Sequence, residues 1–71
     1  MKVTNQMDIK PGNILTSSKY EMYSVLNWNK DLSKWNMCAI EPDGTVIKDK
    51  DEPVIITMSQ DDLVKLEFTI K

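Results

Sequence analysis

Histidine and arginine are absent from this chain of 71 residues, cysteine occurs once, glycine twice, and only five side chains are aromatic. Each shortage excludes a chemistry. Without histidine, neither Cys38 nor any serine has the usual general base beside it, so nucleophilic catalysis lacks its common activator. A single cysteine forms no intrachain disulfide, and with no histidine there is no zinc ligand set. That sulfur usage fits a reducing cytosol, or a chain whose environment does not matter to its sulfur. The nine cations are all lysine, set against eleven carboxylates for a net charge of −2. Nucleic-acid binders rely on a basic patch and on the planar fork of arginine, and this chain has neither. A charge of −2 is also too small to imitate a polyanion. Arginine-free sequence rich in Lys, Ile and Asn matches coding bias in an AT-rich genome, such as that of a low-GC bacterium or its phages.

Other absences narrow the setting. No apolar run approaches the roughly 20 residues that cross a bilayer. The opening MKVTNQMDIK has no apolar h-region, so it does not read as a secretion signal. We read the chain as soluble and cytoplasmic, with no membrane contact. Two glycines cannot supply a nucleotide-cradling loop, and the acidic run Asp49–Glu52 lacks the Asp-x-Asp-x-Asp-Gly spacing of a calcium loop. It reads as a solvated turn. No cofactor is implied. Carboxylates remain the one resource for catalysis, but most lie in turns or at a helix start, where solubility and capping account for them.

What is present is a succession of short strands in one domain. A chain this short buries only about 60% of its unfolded surface, and net stability of roughly 3–5 kcal/mol is usual without a staple. Val3, Met7 and Ile9 are spaced for a short edge strand. Lys10-Pro11-Gly12-Asn13 is a turn, Ile14–Thr16 a short strand, and Ser17–Lys19 a break. Tyr20–Trp28, with its aromatic and β-branched residues, is the strongest strand. Lys34–Glu41 is the next. Glu41-Pro42-Asp43-Gly44 fits a type I turn, followed by strand Thr45–Lys48, the charged turn Asp49–Pro53 and strand Val54–Met58. Val46 is expected against Ile40. Ser59 then reads as a helix N-cap with Asp62 at the capping-box position. Residues 63–70 fit either helical turns or a closing strand, since Val64, Leu66, Phe68 and Ile70 alternate; a helical turn at 60–64 followed by a strand over 65–70 accommodates both.

The two long strands pair best as a hairpin in which opposed residue numbers sum to 63. Trp28 then faces Trp35, Leu26 faces Met37, Val25 faces Cys38, Ser24 faces Ala39 and Tyr23 faces Ile40. Tyr23, Val25, Cys38 and Ile40 form the more uniformly apolar face, which is expected to be core, with Cys38 as a small buried residue. The even-numbered face of residues 20–28 is left partly exposed. Tyr20, Met22, Trp28 and Trp35 are therefore the candidate binding residues, because Trp and Tyr dominate binding hot spots. The structural alternative for the indoles is a cross-strand clasp, worth about 0.5–1.5 kcal/mol beyond area burial.

Five or six short antiparallel strands, with one helical turn near the C-terminus, make a mainly β chain that closes as a small barrel. This order, with KPGNIL leading into YEMYSVL, resembles Src-homology-3-like barrels of the KOW and Tudor type over residues 8–71. No binding residue carries over from that resemblance. The expectation is a non-enzymatic protein-binding module, monomeric or weakly dimeric, of phage or mobile-element origin and acting on a host protein. The resemblance also implies an alternative, a nucleic-acid- or ribosome-associated barrel of KOW type. An enzyme working through paired carboxylates is the third class.

Overall fold

The computed structural model describes the backbone of residues 1–71 and the side chains of all except Tyr20 and Glu21. Five strands form one antiparallel sheet: β1 (Ile14–Ser17), β2 (Tyr20–Asn29), β3 (Lys34–Ile40), β6 (Ile55–Met58) and β7 (Thr69–Ile70), in the order β6-β3-β2-β1-β7. A two-stranded ribbon, β4 (Lys48–Asp49) with β5 (Glu52–Pro53), and one short helix, α1 (Gln60–Lys65), complete the mainly β chain. Among the described residues no pairing joins β6 to β7, so the sheet is open.

The β2–β3 hairpin departs from the expected single register. At the loop end the sum of 63 holds, with Asn29 opposite Lys34, Trp28 opposite Trp35 and Asn27 opposite Asn36. A bulge between Val25 and Asn27 then shifts the rest by one, so Val25 pairs Met37, Ser24 pairs Cys38, Tyr23 pairs Ala39 and Met22 pairs Ile40. A β-bulge inserts one unpaired residue and restarts the side-chain alternation beyond it. Leu26 is that residue. The reason lies in the apolar pattern. Trp35, Met37 and Ala39 alternate on one face of β3, whereas Tyr23, Val25 and Trp28 break period two on β2. Only a one-residue slip lets all six share a face. The expected opposition of Val25 to Cys38 is thereby overturned, as is the assignment of Cys38 and Ile40 to the face of Val25.

The core lies on the Tyr23–Val25 face. Phe68, Leu15, Met37, Leu63 and Val25 are its largest fully buried side chains, joined by Val3, Ile9, Tyr23 and Ala39. The Tyr23 and Phe68 rings meet at 6.0 Å with a 54° tilt. Cys38 and Ile40 are also buried, but they point away from that cluster. Cys38 carries a free thiol, with Sγ 3.6 Å from the Ala39 carbonyl.

Residues 1–10 do not form the expected edge strand. Thr4 closes a turn by accepting from the Met7 amide, which interrupts the alternation of Val3, Met7 and Ile9. Instead residues 1–3 lie along the outer side of β7: the Val3 amide donates to Phe68 and the Ile70 amide to Met1. The Gln60 side-chain amide ties down the next stretch by donating to the carbonyls of Thr4 and Met7, both at 2.7 Å. The expected strand Thr45–Lys48 shrinks to a bridge between Ile40 and Val46 plus β4. The expected Asp49–Pro53 turn is the tip of the β4–β5 ribbon, with Lys50 and Asp51 both at positive φ (52° and 65°).

Helix α1 begins as its local chemistry requires. Ser59 Oγ accepts from the Asp62 amide at 3.1 Å, and Asp61 and Asp62 occupy the first turn. Its end is a Schellman arrangement: the Phe68 amide donates to Leu63, the Glu67 amide to Val64, and Glu67 takes φ 59°. That reversal drives Phe68 into the core and sends Thr69–Ile70 back beside β1, where Thr16 and Thr69 hydroxyls meet at 2.9 Å.

Candidate functional site

The loop end of the β2–β3 hairpin carries the two tryptophans. Their rings pack edge to face at 4.8 Å with a 65° interplanar angle, the geometry that aromatic quadrupoles favour. Through the Leu26 bulge both lie on the core side of the sheet, not on the opposite face expected from simple alternation. Trp35 packs against the core, whereas Trp28 beyond it is 45% exposed. Leu26 and Leu32 add exposed apolar surface at the same end, 45% and 58% accessible. The loop is held by Asn29, whose Oδ1 accepts from the Leu32 amide at 3.2 Å, and by Ser33 at φ 53°.

The Trp35 indole N–H is buried and has no acceptor. A buried donor left unpaired costs about 1–3 kcal/mol. On the reverse face the same rungs are polar. Asn36 donates through Nδ2 to Asn27 at 3.2 Å and accepts from the Thr57 hydroxyl at 3.0 Å. The two faces of this end thus differ, one aromatic and one a ladder of amides.

Met22 does not join the tryptophans. It lies half-buried on the reverse face, six residues along β2 from Trp28, or about 20 Å at the usual strand rise. There it lines a cleft of about 370 Å³ with Thr16, Ser17, Ile40, Pro42 and Ile47. Tyr20, the fourth candidate, lies outside the described side chains. Trp28 and Trp35 are brought together as expected; Leu26 and Leu32 are additions that sequence reasoning missed. Leu32 sits in a loop of polar residues, and its exposure was readable from that setting; that of Leu26 depends on the bulge.

Among the described residues no group of three or more Cys, Asp or Glu is placed to hold a metal. Among the described residues, Asp43 and Lys65 are displaced from their ordinary values. Asp43 is held below its usual 3.8 by hydrogen bonds from Thr45, chiefly the backbone amide at 2.9 Å. Lys65 is raised above 10.5 by its hydrogen bond and attraction to Asp61 at 3.0 Å. Both are solvent-exposed and belong to a turn and a helix, away from the indoles. No described helix is long and apolar enough to cross a membrane. No family model, curated protein or solved structure matches this chain.

Proposed function

We propose that this chain is a non-enzymatic protein-binding module whose contact surface is the indole pair at the β2–β3 loop end. The observation that carries the reading is Trp28, a large aromatic left 45% exposed on the core side of the sheet, packed edge to face against Trp35, with Leu26 and Leu32 also exposed at the same end. Binding hot spots are enriched in tryptophan because one rigid ring removes a large area from water with few rotamers to fix.

For the fold, the reading is an Src-homology-3-like small barrel. In its support, three consecutive strands form a meander, a short helix separates the last two sheet strands, and the final strand returns beside the first. The arginine-free composition, rich in Lys, Ile and Asn as in AT-rich genomes, supports a phage or mobile-element source, with a host cytoplasmic protein as the proposed partner.

Affinity capture with the wild-type chain, Trp28→Ala and Met22→Ala tests the surface. Loss of a hot-spot side chain weakens binding by about 2 kcal/mol or more, roughly thirtyfold. Trp28→Ala is expected to lose the partner while Met22→Ala, on the reverse face, keeps it. Equal capture by a folded Trp28→Ala removes the proposed site.

A further inference from the structure

The two edges of the sheet are treated differently. The β7 edge is covered by the chain's own residues 1–3, through the Val3–Phe68 and Met1–Ile70 backbone bonds. The β6 edge, residues Ile55 to Met58, has no neighbour among the described residues. In an antiparallel ladder, alternate residues direct both backbone groups to the same neighbour. Val54 accepts from Ala39 of β3, so Ile56 and Met58 also face β3. Ile55 and Thr57 therefore direct their amides and carbonyls outward, where no described residue receives them. Ile55 is 51% exposed and Thr57 is exposed. The edge lacks the usual guards: Ile-Ile-Thr-Met contains no charge, no proline and no bulge.

We infer that this edge pairs with the same edge of a second copy, giving a weak two-fold dimer through β6. The outward residues are symmetric about Ile56. A two-fold axis there sets Ile55 of each copy opposite Thr57 of the other, which supplies four backbone hydrogen bonds and brings the two Ile56 side chains together on the core side. The interface is isologous, and because the other edge is covered it closes at two copies instead of growing into a fibre. Charge is balanced enough to permit it. Lys48 and Lys50 accompany Asp49, Asp51 and Glu52 at one end of the edge, and Lys34 and Lys65 accompany Asp61 and Asp62 at the other. By these residues one end carries a net charge of −1 and the other none, so little like-charge repulsion opposes the pairing. Its size sets its strength. A four-residue edge about 13 Å long buries far less than the roughly 800 Å² per partner of a stable interface, so dissociation is expected on the order of 100 µM.

Sedimentation velocity on the full chain from about 10 µM to about 1 mM, a range bracketing that dissociation constant, tests this alongside amide exchange. The mean mass is expected to rise toward two chains, with the Ile55 and Thr57 amides slowing in exchange as concentration rises. Thr57→Pro removes an amide that the chain's own ladder does not use, and Ile55→Lys places a charge on the edge; both are expected to stay monomeric. Trp28→Ala is expected to dimerise like the wild type, which separates this inference from the proposed indole surface. A wild-type chain that remains monomeric to about 1 mM overturns it. So does a dimer that survives in both edge variants, or one lost in Trp28→Ala.

Discussion

Leu26 and Met37 are both hydrophobic residues in long strands, yet their environments are opposite. Met37 is fully buried, while Leu26, the bulged residue, is 45% exposed. Met37→Ala is expected to cost about 2–5 kcal/mol, enough to unfold most of a domain whose margin is roughly 3–5 kcal/mol. Leu26→Ala should stay within about 0.5 kcal/mol. Urea titrations of the two variants check the contrast. Glu67 bears strain of a different kind. A non-glycine residue in the left-handed region costs roughly 1–2 kcal/mol, and its partner Lys2, 3.7 Å away with both side chains exposed, returns little. Glu67→Gly is expected to stabilise the fold by about 1 kcal/mol, raising the urea midpoint without changing the slope.

Asp43 gives a pH dependence with a definite sign. Its folded-state pKa lies below the ordinary 3.8 because Thr45 donates to its carboxylate. The contribution is therefore present above the ordinary carboxylate range and is lost as pH falls through the folded value. The Thr45 amide shift should titrate below pH 3.8 in the wild type and lose that step in Asp43→Asn. A transition above 3.8 would contradict the bond.

Among the elements, local signals were legible and compensated ones were not. Ser59 announced α1 because an N-cap acts within three residues, and the Asp62 amide meets its hydroxyl. The strands over β2, β3 and β6 followed from their composition, and the pairing of Trp28 with Trp35 from matching residues across a short loop. The bulge was not legible. Register is read as one number for a whole hairpin, and here two registers, offset by one residue, each satisfy half of it. Simple alternation along β2 puts Trp28 on the face of Met22, and that offset is what moves it to the core side. The N-terminal segment was misread for a related reason: burial of Val3 and Ile9 imitates alternation, but a turn at Asn5–Gln6 lies between them. Residues 1–3 are held by backbone bonds to Phe68 and Ile70, and the turn after them by the Gln60 side chain. Gln60→Ala is expected to accelerate amide exchange across residues 4–9 at least tenfold, the effect of losing roughly 1.4 kcal/mol of local closure, while β2 and β3 amides keep their rates. Unchanged exchange at residues 4–9 would show that the Gln60 bonds are dispensable.

At the scale of the whole molecule, a single small core supports one sheet with one guarded and one open edge. The radius of gyration, 11.5 Å, is close to the roughly 11 Å expected of a compact chain this long. With one cysteine, and so no intrachain disulfide, the buried cluster around Phe68, Leu15 and Met37 is the centre of stability. The surfaces left over are the indole end and the β6 edge, joined at the Trp35–Met58 rung. Everything said of the first depends on the one-residue slip at Leu26, since it alone puts Trp28 on the same face as Val25. Proton spectroscopy reads that slip directly. The account requires cross-strand Hα–Hα contacts for both Val25–Met37 and Trp28–Trp35 in the same spectrum. A Leu26–Met37 Hα–Hα contact in place of Val25–Met37 would restore an unbroken register and contradict it.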